Sequence, residues 1–390
     1  MSPAPADRRF AKNLLAWYLK SARDLPWRRT SDPYAIWLSE IMLQQTQVAT
    51  VIPYYHRFLD AFPSIQRLAA ASQEAVFAQW EGLGYYARAR HLHQAARAMV
   101  AQFSGQVPST FDALLTLPGI GRSTAGAILT LAFGQRHPIL DGNVRRVLCR
   151  YLAIRGNPKD VAVETRLWRV AARLLPQRRA DEYTQAIMDL GATCCTPKLP
   201  ACPACPVRRD CRGYAQGLQH TLPARQRRKP LPRHDHVARV ILHMRAGKPS
   251  VFLRQRPAKG LLGGLWELPS ARADATPGGL REAWLRIGQE HGFDLSECPP
   301  AGQPAGQIHQ TFTHFKMTLH LFVEQRRARH DPAGLLSVPI EALANYPLPS
   351  AHRKIAIALG ADQDADGTRW GRMSHPRQNR GMKKDPHAGR

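Results

Sequence analysis

Four cysteines, Cys195, Cys202, Cys205 and Cys211, are separated by six, two and five residues. Thiolates so spaced can enclose a tetrahedral Zn or a [4Fe-4S] cluster, and spacing alone does not choose between them. Upstream, residues 117–126 read Leu-Pro-Gly-Ile-Gly-Arg-Ser-Thr-Ala-Gly between two helical segments. Gly119 and Gly121 permit a tight turn with the backbone close to a ligand, and Ser123 or Thr124 can cap the next helix. The outward-facing amides of such a helix start suit a phosphate, although an ordinary helix-to-helix turn would use the same residues. Two carboxylates complete the set. Glu40 shares a predicted helix with Gln44 and Gln47, and the i, i+4, i+7 spacing makes a polar stripe on an otherwise apolar segment, so Glu40 is either exposed or lines a cleft. Asp141 stands before a helix that opens with Arg145 and Arg146, where an acid can simply be an N-cap.

The elements that must hold these groups are mostly helices. Apolar residues recur with helical spacing over residues 10–19, 36–52, 75–80, 89–100, 124–133, 144–152, 164–175 and 182–191. Residues 216–235 turn polar and basic without periodicity, which predicts a linker. Beyond it, strand character over 236–243, 250–256 and 307–323 is mixed with helical stretches at 280–291, 339–344 and 351–359. The expected organisation is therefore multidomain: a mainly α-helical domain over 1–215, the linker 216–235, a smaller α+β domain over 236–360, and a disordered basic tail over 361–390.

Charge identifies the partner class. The 390 residues carry a net charge of +26, with +14 in residues 1–225, +9 in 226–360 and +3 in the rest. Two basic domains in one chain suit a clamp on a polyanion, with binding steeply dependent on salt. The longest apolar runs, such as residues 125–133, fall well short of the roughly 20 residues a bilayer span requires, so no membrane is expected. Arg8-Arg9 is not read as an export signal, because Asn13, Lys20 and Arg23 interrupt the apolar segment after it. Five of the seven cysteines crowd between Cys194 and Cys211, as a metal site in a cytoplasmic protein would have them, while Cys149 and Cys298 read as core thiols.

Taken together, residues 37–54, 82–90, 117–126, 140–146, 188–191 and the cysteine loop occur in the order and spacing of adenine-specific DNA glycosylases of the MutY type. The chain resembles that branch of the helix-hairpin-helix glycosylases over roughly residues 8–360. The resemblance implies a glycosylase domain with a [4Fe-4S] loop, Cys195, Cys202, Cys205 and Cys211 being its ligands, followed by a C-terminal Nudix-like domain. It also implies a bacterial monomer, associated with the nucleoid through DNA, whose substrate is duplex DNA with adenine opposite 8-oxoguanine or guanine.

Cutting the N-glycosidic bond of a flipped adenine needs one carboxyl holding a proton and another ionised beneath a cationic sugar. Glu40 matches the family's acid, its pKa raised by burial near Trp37, Ile41 and Leu43. Asp141, with Asn143 in its hydrogen-bond network, matches the residue that stabilises the cation. By the same resemblance Gln45 and Tyr85 wedge into the duplex beside Thr46 and Leu83, while Arg23, Arg28 and Gln185 line the adenine side. Gly119, Gly121 and Ser123 form the DNA-binding hairpin. Bifunctional relatives place a lysine where Ser123 stands, and Arg122 cannot replace it as an amine nucleophile, so an abasic site without strand cleavage is expected.

In the second domain, residues 263–269 resemble the opening of the Nudix pattern, but only Glu267 and Glu290 keep expected acids, too few for a divalent-metal site. The domain is expected to bind and not hydrolyse. Phe312, Thr313 and His314 align with the family's Phe-Ser-His hairpin for 8-oxoguanine, Thr313 adding a methyl but keeping the hydroxyl. An endonuclease III-like bifunctional enzyme, a non-catalytic DNA-binding protein and a Nudix hydrolase are the competing readings. Ser123, the Glu40/Asp141 pair and the missing carboxylates argue against them in turn.

Overall fold

The computed structural model describes residues 5–224, 230–293, 304–326 and 332–361. Cys298 and residues 362–390, for which a core thiol and a disordered tail are expected, lie outside the described residues. The chain forms two compact units that divide between Lys229 and Pro230. No helix among the described residues is long and apolar enough to cross a membrane.

The described part of the first unit is built from helices and turns. One predicted helix is two: residues 36–52 divide into Pro33–Leu43 and Val48–Ala61. The break falls at Gln45, whose φ of 61° is left-handed and cannot continue a helix. Gln47 is the N-cap of the second helix, so it does not share a continuous stripe with Glu40 and Gln44. The short helices Ile65–Ala70 and Phe111–Leu115 are additional; each is less than two turns long, too short for a periodic signature.

Helices Pro5–Ser21, Gly142–Tyr151, Val161–Leu174 and Ala180–Asp189 pack around Phe10, Leu14, Leu148, Leu167 and Ile187, all buried. Burial of each such side chain contributes about 1.5–3 kcal/mol. Gln216–Ala224, at the start of the predicted linker, lies on this unit: Leu222 is buried and its carbonyl accepts from Arg150 Nε at 2.8 Å.

The expected [4Fe-4S] loop requires correction. Cys195, Cys202, Cys205 and Cys211 line one cavity with Arg150 and Arg208. Yet among the described residues no group of three or more His, Cys, Asp or Glu is placed to hold a metal ion. Three of the four sulfurs are instead engaged by protein groups. Cys195 Sγ accepts from Arg150 Nη1 at 3.3 Å, Cys211 Sγ donates to the Arg150 carbonyl at 3.6 Å, and Cys205 hydrogen-bonds Cys194, a thiol outside the six, two and five spacing. Among the described residues the loop is thus not arranged as an iron-sulfur or other metal site, contrary to the expected cofactor.

The second unit is a mixed sheet with helices on both faces. Its strands are β1 (Arg233–Arg245), β2 (Lys248–Gln255), β3 (Trp266–Glu267), β4 (Ser270–Ala273), β5 (Gly306–Thr311), β6 (Lys316–Gln325) and β7 (Leu336–Pro339). The order is β3-β2-β1-β6-β5, with β4 on β1 and β7 on β2; β1 and β6 run parallel. Helix Pro277–His291 covers one face through Trp284 and Ile287 against Val237 and Phe322. Helix Ser350–Ala361 packs on a separate core with Val240, Leu253 and Leu321. The predicted strand 307–323 is a hairpin, because Phe312–Phe315 leave the ladder where Phe312 N donates to Phe315 O at 2.8 Å.

Candidate active site

Helix Pro33–Leu43 begins on Asp32, whose carboxylate accepts from Tyr34 N and Ala35 N, with proline at its first position. Trp37, Leu38, Ile41 and Met42 are buried, which fixes the roll of the helix and leaves Glu40 only partly accessible. Burial first, and then the negative charge of Asp141, push the Glu40 carboxyl up to about 7, while Arg28 pulls the other way. A carboxyl at that value is part protonated at neutral pH.

Asp141 is the N-cap of helix Gly142–Tyr151. Its Oδ1 accepts from Val144 N at 2.7 Å and its Oδ2 from Asn143 Nδ2 at 3.3 Å. Burial raises its pKa too, but those two donors and the Arg146 charge oppose the rise. Asn143 is itself held, its Oδ1 accepting from Arg146 Nη2 at 2.8 Å. A Cβ on Gly191 would lie 2.5 Å from Asn143 Cβ, so the glycine is what admits Asn143.

The hairpin joins the two carboxylates. Gly119 turns the chain at φ 80°, and Gly121 is the N-cap of helix Arg122–Phe133. Neither Ser123 nor Thr124 caps that helix. Ser123 Oγ accepts from Leu140 N at 3.0 Å, tying the hairpin to the residue before Asp141. Gln44 Nε2 donates to Thr124 Oγ1 at 3.3 Å, tying it to the Glu40 helix. The Arg122 guanidinium lies 4.0 Å over the Trp168 ring, and residues 117–126 contain no lysine to supply a primary amine.

The expected adenine-side residues converge. Arg28 Nε donates to Gln185 Oε1 at 2.8 Å, and Arg23 and Arg28 both bind Asp189, at 2.5 and 2.8 Å. Asp189 is fully buried and anchors both arginines; it lies in the 188–191 motif, but the sequence gives it no role. Its i, i+4 spacing from Gln185 is the available signal. Gln45 and Tyr85 are exposed, both at left-handed φ, 61° and 51°. Thr46 is partly buried; Leu83 is buried in the core and not at the surface. A second residue given no role from sequence is Arg88, a buried arginine that donates to carbonyls in both the Gln45 and Tyr85 loops.

In the second unit Phe312 lies at the β5–β6 turn with Thr313 and His314 exposed. Phe312 stacks on Phe315 and Phe315 on His234, each pair at 4.6 Å. Glu267 is buried between Arg254 and Arg256, at 2.9 and 2.6 Å, and Glu290 also reaches Arg254 at 3.4 Å. Both acids that survive from the Nudix pattern thus face arginine.

Residues 38–173 match the family model described as HhH-GPD superfamily base excision DNA repair protein, and residues 240–358 match a NUDIX domain. A helix-hairpin-helix turn tied to the elements of two half-buried carboxylates, followed by a Nudix-type unit, defines a base-excision DNA glycosylase. A solved structure of a thermostable thymine-DNA glycosylase superposes with a TM-score of 0.51 at 29% identity, covering 54% of this chain and 97% of its own. The mouse protein named adenine DNA glycosylase is 37% identical over 402 residues, spanning 89% of this chain and 77% of its own length. The rat protein of that name is 38% identical over 362 residues, spanning 80% and 70%. The chain belongs to the adenine DNA glycosylase family. It is a base-excision-repair enzyme that removes adenine from DNA, and DNA is its partner.

Proposed function

We propose that the enzyme removes adenine opposite 8-oxoguanine, or less well guanine, from duplex DNA and leaves an abasic site without cutting the strand. The observation that carries this reading is Glu40 at about 7 beside a hydrogen-bonded Asp141. Glu40 donates its proton to N7 of the flipped adenine, which leaves as the C1′–N9 bond breaks. Asp141 faces the cationic sugar, oriented by Val144 N and Asn143. Water then adds at C1′ and Glu40 takes up its proton.

Around these two carboxylates, Arg23, Arg28 and Gln185 line the adenine pocket. Gln45 and Tyr85 fill the vacated stack, with Thr46 beside them and Leu83 supporting from the core. Gly119, Gly121 and Ser123 present backbone amides to a phosphate. Phe312, Thr313 and His314 read the opposite base, and the Nudix-type unit binds without hydrolysing. The catalytic unit, which ends by Lys229, and the reading unit, which begins at Pro230, act in one cytoplasmic monomer.

The test is a set of duplexes carrying adenine opposite 8-oxoguanine, adenine opposite guanine, and thymine glycol. Free adenine from the first two, with strand breaks only after alkali, is the expected result. Release from thymine glycol, or breaks without alkali, would refute the proposal.

A further inference from the structure

We infer that Arg88 is a positioning residue that locks the Gln45 loop and the Tyr85 loop into one wedge, so that both side chains enter the duplex as a unit. This rests on the wedge roles proposed above.

One planar guanidinium grips both loops. Arg88 Nη1 donates to Ile41 O, Met42 O and Gln44 O at 3.0, 2.6 and 2.6 Å. Its Nη2 donates to Thr46 Oγ1 at 2.9 Å in the first loop and to Leu83 O and Gly84 O at 3.4 and 3.1 Å in the second. The residues on either side of Gln45 and the two before Tyr85 are therefore held by the same group. The guanidinium also lies near the ring faces of Trp80 and Tyr85, at 5.3 and 5.5 Å. Arg88 is buried, so water does not compete for these acceptors.

The need for such a clamp comes from the backbone. Gln45 and Tyr85 both sit at left-handed φ, which non-glycine residues avoid unless their surroundings impose it. Arg88 supplies the shared constraint for two turns some forty residues apart in sequence. Lysine could not, since one ammonium with three donors cannot span both loops.

The experiment compares Arg88→Ala, Arg88→Lys, Thr46→Val, the double variant Gln45→Gly/Tyr85→Gly and the triple variant that adds Arg88→Ala. Glycine keeps the left-handed turns while removing the wedges. Single-turnover excision is read with 2-aminopurine fluorescence beside the target adenine. Arg88→Ala should lower flipping and excision by about 100-fold, the scale expected for a misplaced group. Arg88→Lys should recover little, and Thr46→Val should show a smaller loss.

The pH midpoint of excision should stay near 7 in these variants, because Glu40 is not the group disturbed. Adding Arg88→Ala to the double glycine variant should have little further effect. Full activity in Arg88→Ala, or intact flipping with a displaced pH midpoint, overturns the inference; the latter would make Arg88 only a support of the Glu40 helix. If the double glycine variant itself flips and excises normally, the wedge reading fails, and that result is distinct from failure of Arg88 alone.

Discussion

The negative charge of Asp141 bears on Glu40, and together with burial it holds the Glu40 carboxyl protonated up to about pH 7. A proton bound there is the one adenine needs. Glu40→Gln should lower single-turnover excision by roughly 100- to 10,000-fold, the usual contribution of a positioned acid, while mismatch binding persists. Excision within a few-fold of wild type would refute the assignment.

The same shift has a stability consequence. The folded-state value, about 7, lies above the ordinary 4.5. Folding therefore takes up a proton between those values, and stability falls as pH rises through that window. Glu40→Gln removes this term, so the variant should gain up to about 3 kcal/mol over wild type above pH 7 and little at pH 4.5. Denaturant midpoints at the two pH values measure it.

Asp141→Asn separates fold from chemistry. Asparagine is as good an N-cap as aspartate, so the Val144 contact that starts helix Gly142–Tyr151 can survive. The charge proposed to face the sugar cannot. Circular dichroism and Tm should stay close to wild type while excision is lost; a collapsed fold would mean that Asp141 serves the helix first.

Legibility from the sequence tracks physical range. Local pattern reads Asp141 as an N-cap and Gly119 as a turn residue, and both are found so. The chemistry of Glu40 and Asp141 is legible only through the family resemblance, since the Glu40, Gln44, Gln47 stripe is broken before Gln47. The predicted helix over 36–52 is two helices because its break depends on the left-handed Gln45, a residue type with no strong local turn signal. Arg88 is invisible as a clamp, since its acceptors are backbone carbonyls that no side-chain pattern marks. Ser123 reads as a cap from local order, but its partner is Leu140, seventeen positions away. The cysteine spacing allows a metal site, whereas the folded loop engages Cys195 and Cys211 with Arg150 and Cys205 with Cys194.

Asp189 should prove the keystone of the adenine side. Burial alone would raise its pKa, but hydrogen bonds from Arg28 and Arg23 outweigh that and lower it. Asp189→Ala leaves two guanidinium groups without their shared carboxylate, which should destabilise the first unit by about 3–5 kcal/mol. Denaturant unfolding would show it; a loss under about 1 kcal/mol would mean that the arginines find other partners.

The hairpin proposed to read the opposite base allows a test that leaves the chemistry intact. Phe312 is backed by Phe315, and Phe315 by His234, so its ring is supported from one side while Thr313 and His314 face solvent. A stacked ring at a hairpin tip suits insertion beside a base, and the neighbouring hydroxyl and imidazole can bond to the base edge. Phe312→Ala/His314→Ala removes the ring and the imidazole and touches neither Glu40 nor Asp141. Excision opposite guanine should continue at nearly the wild-type rate constant, while the preference for 8-oxoguanine over guanine falls towards unity. Competition between the two duplexes at equal concentration measures that ratio directly, and an unchanged ratio would assign opposite-base recognition elsewhere in the chain.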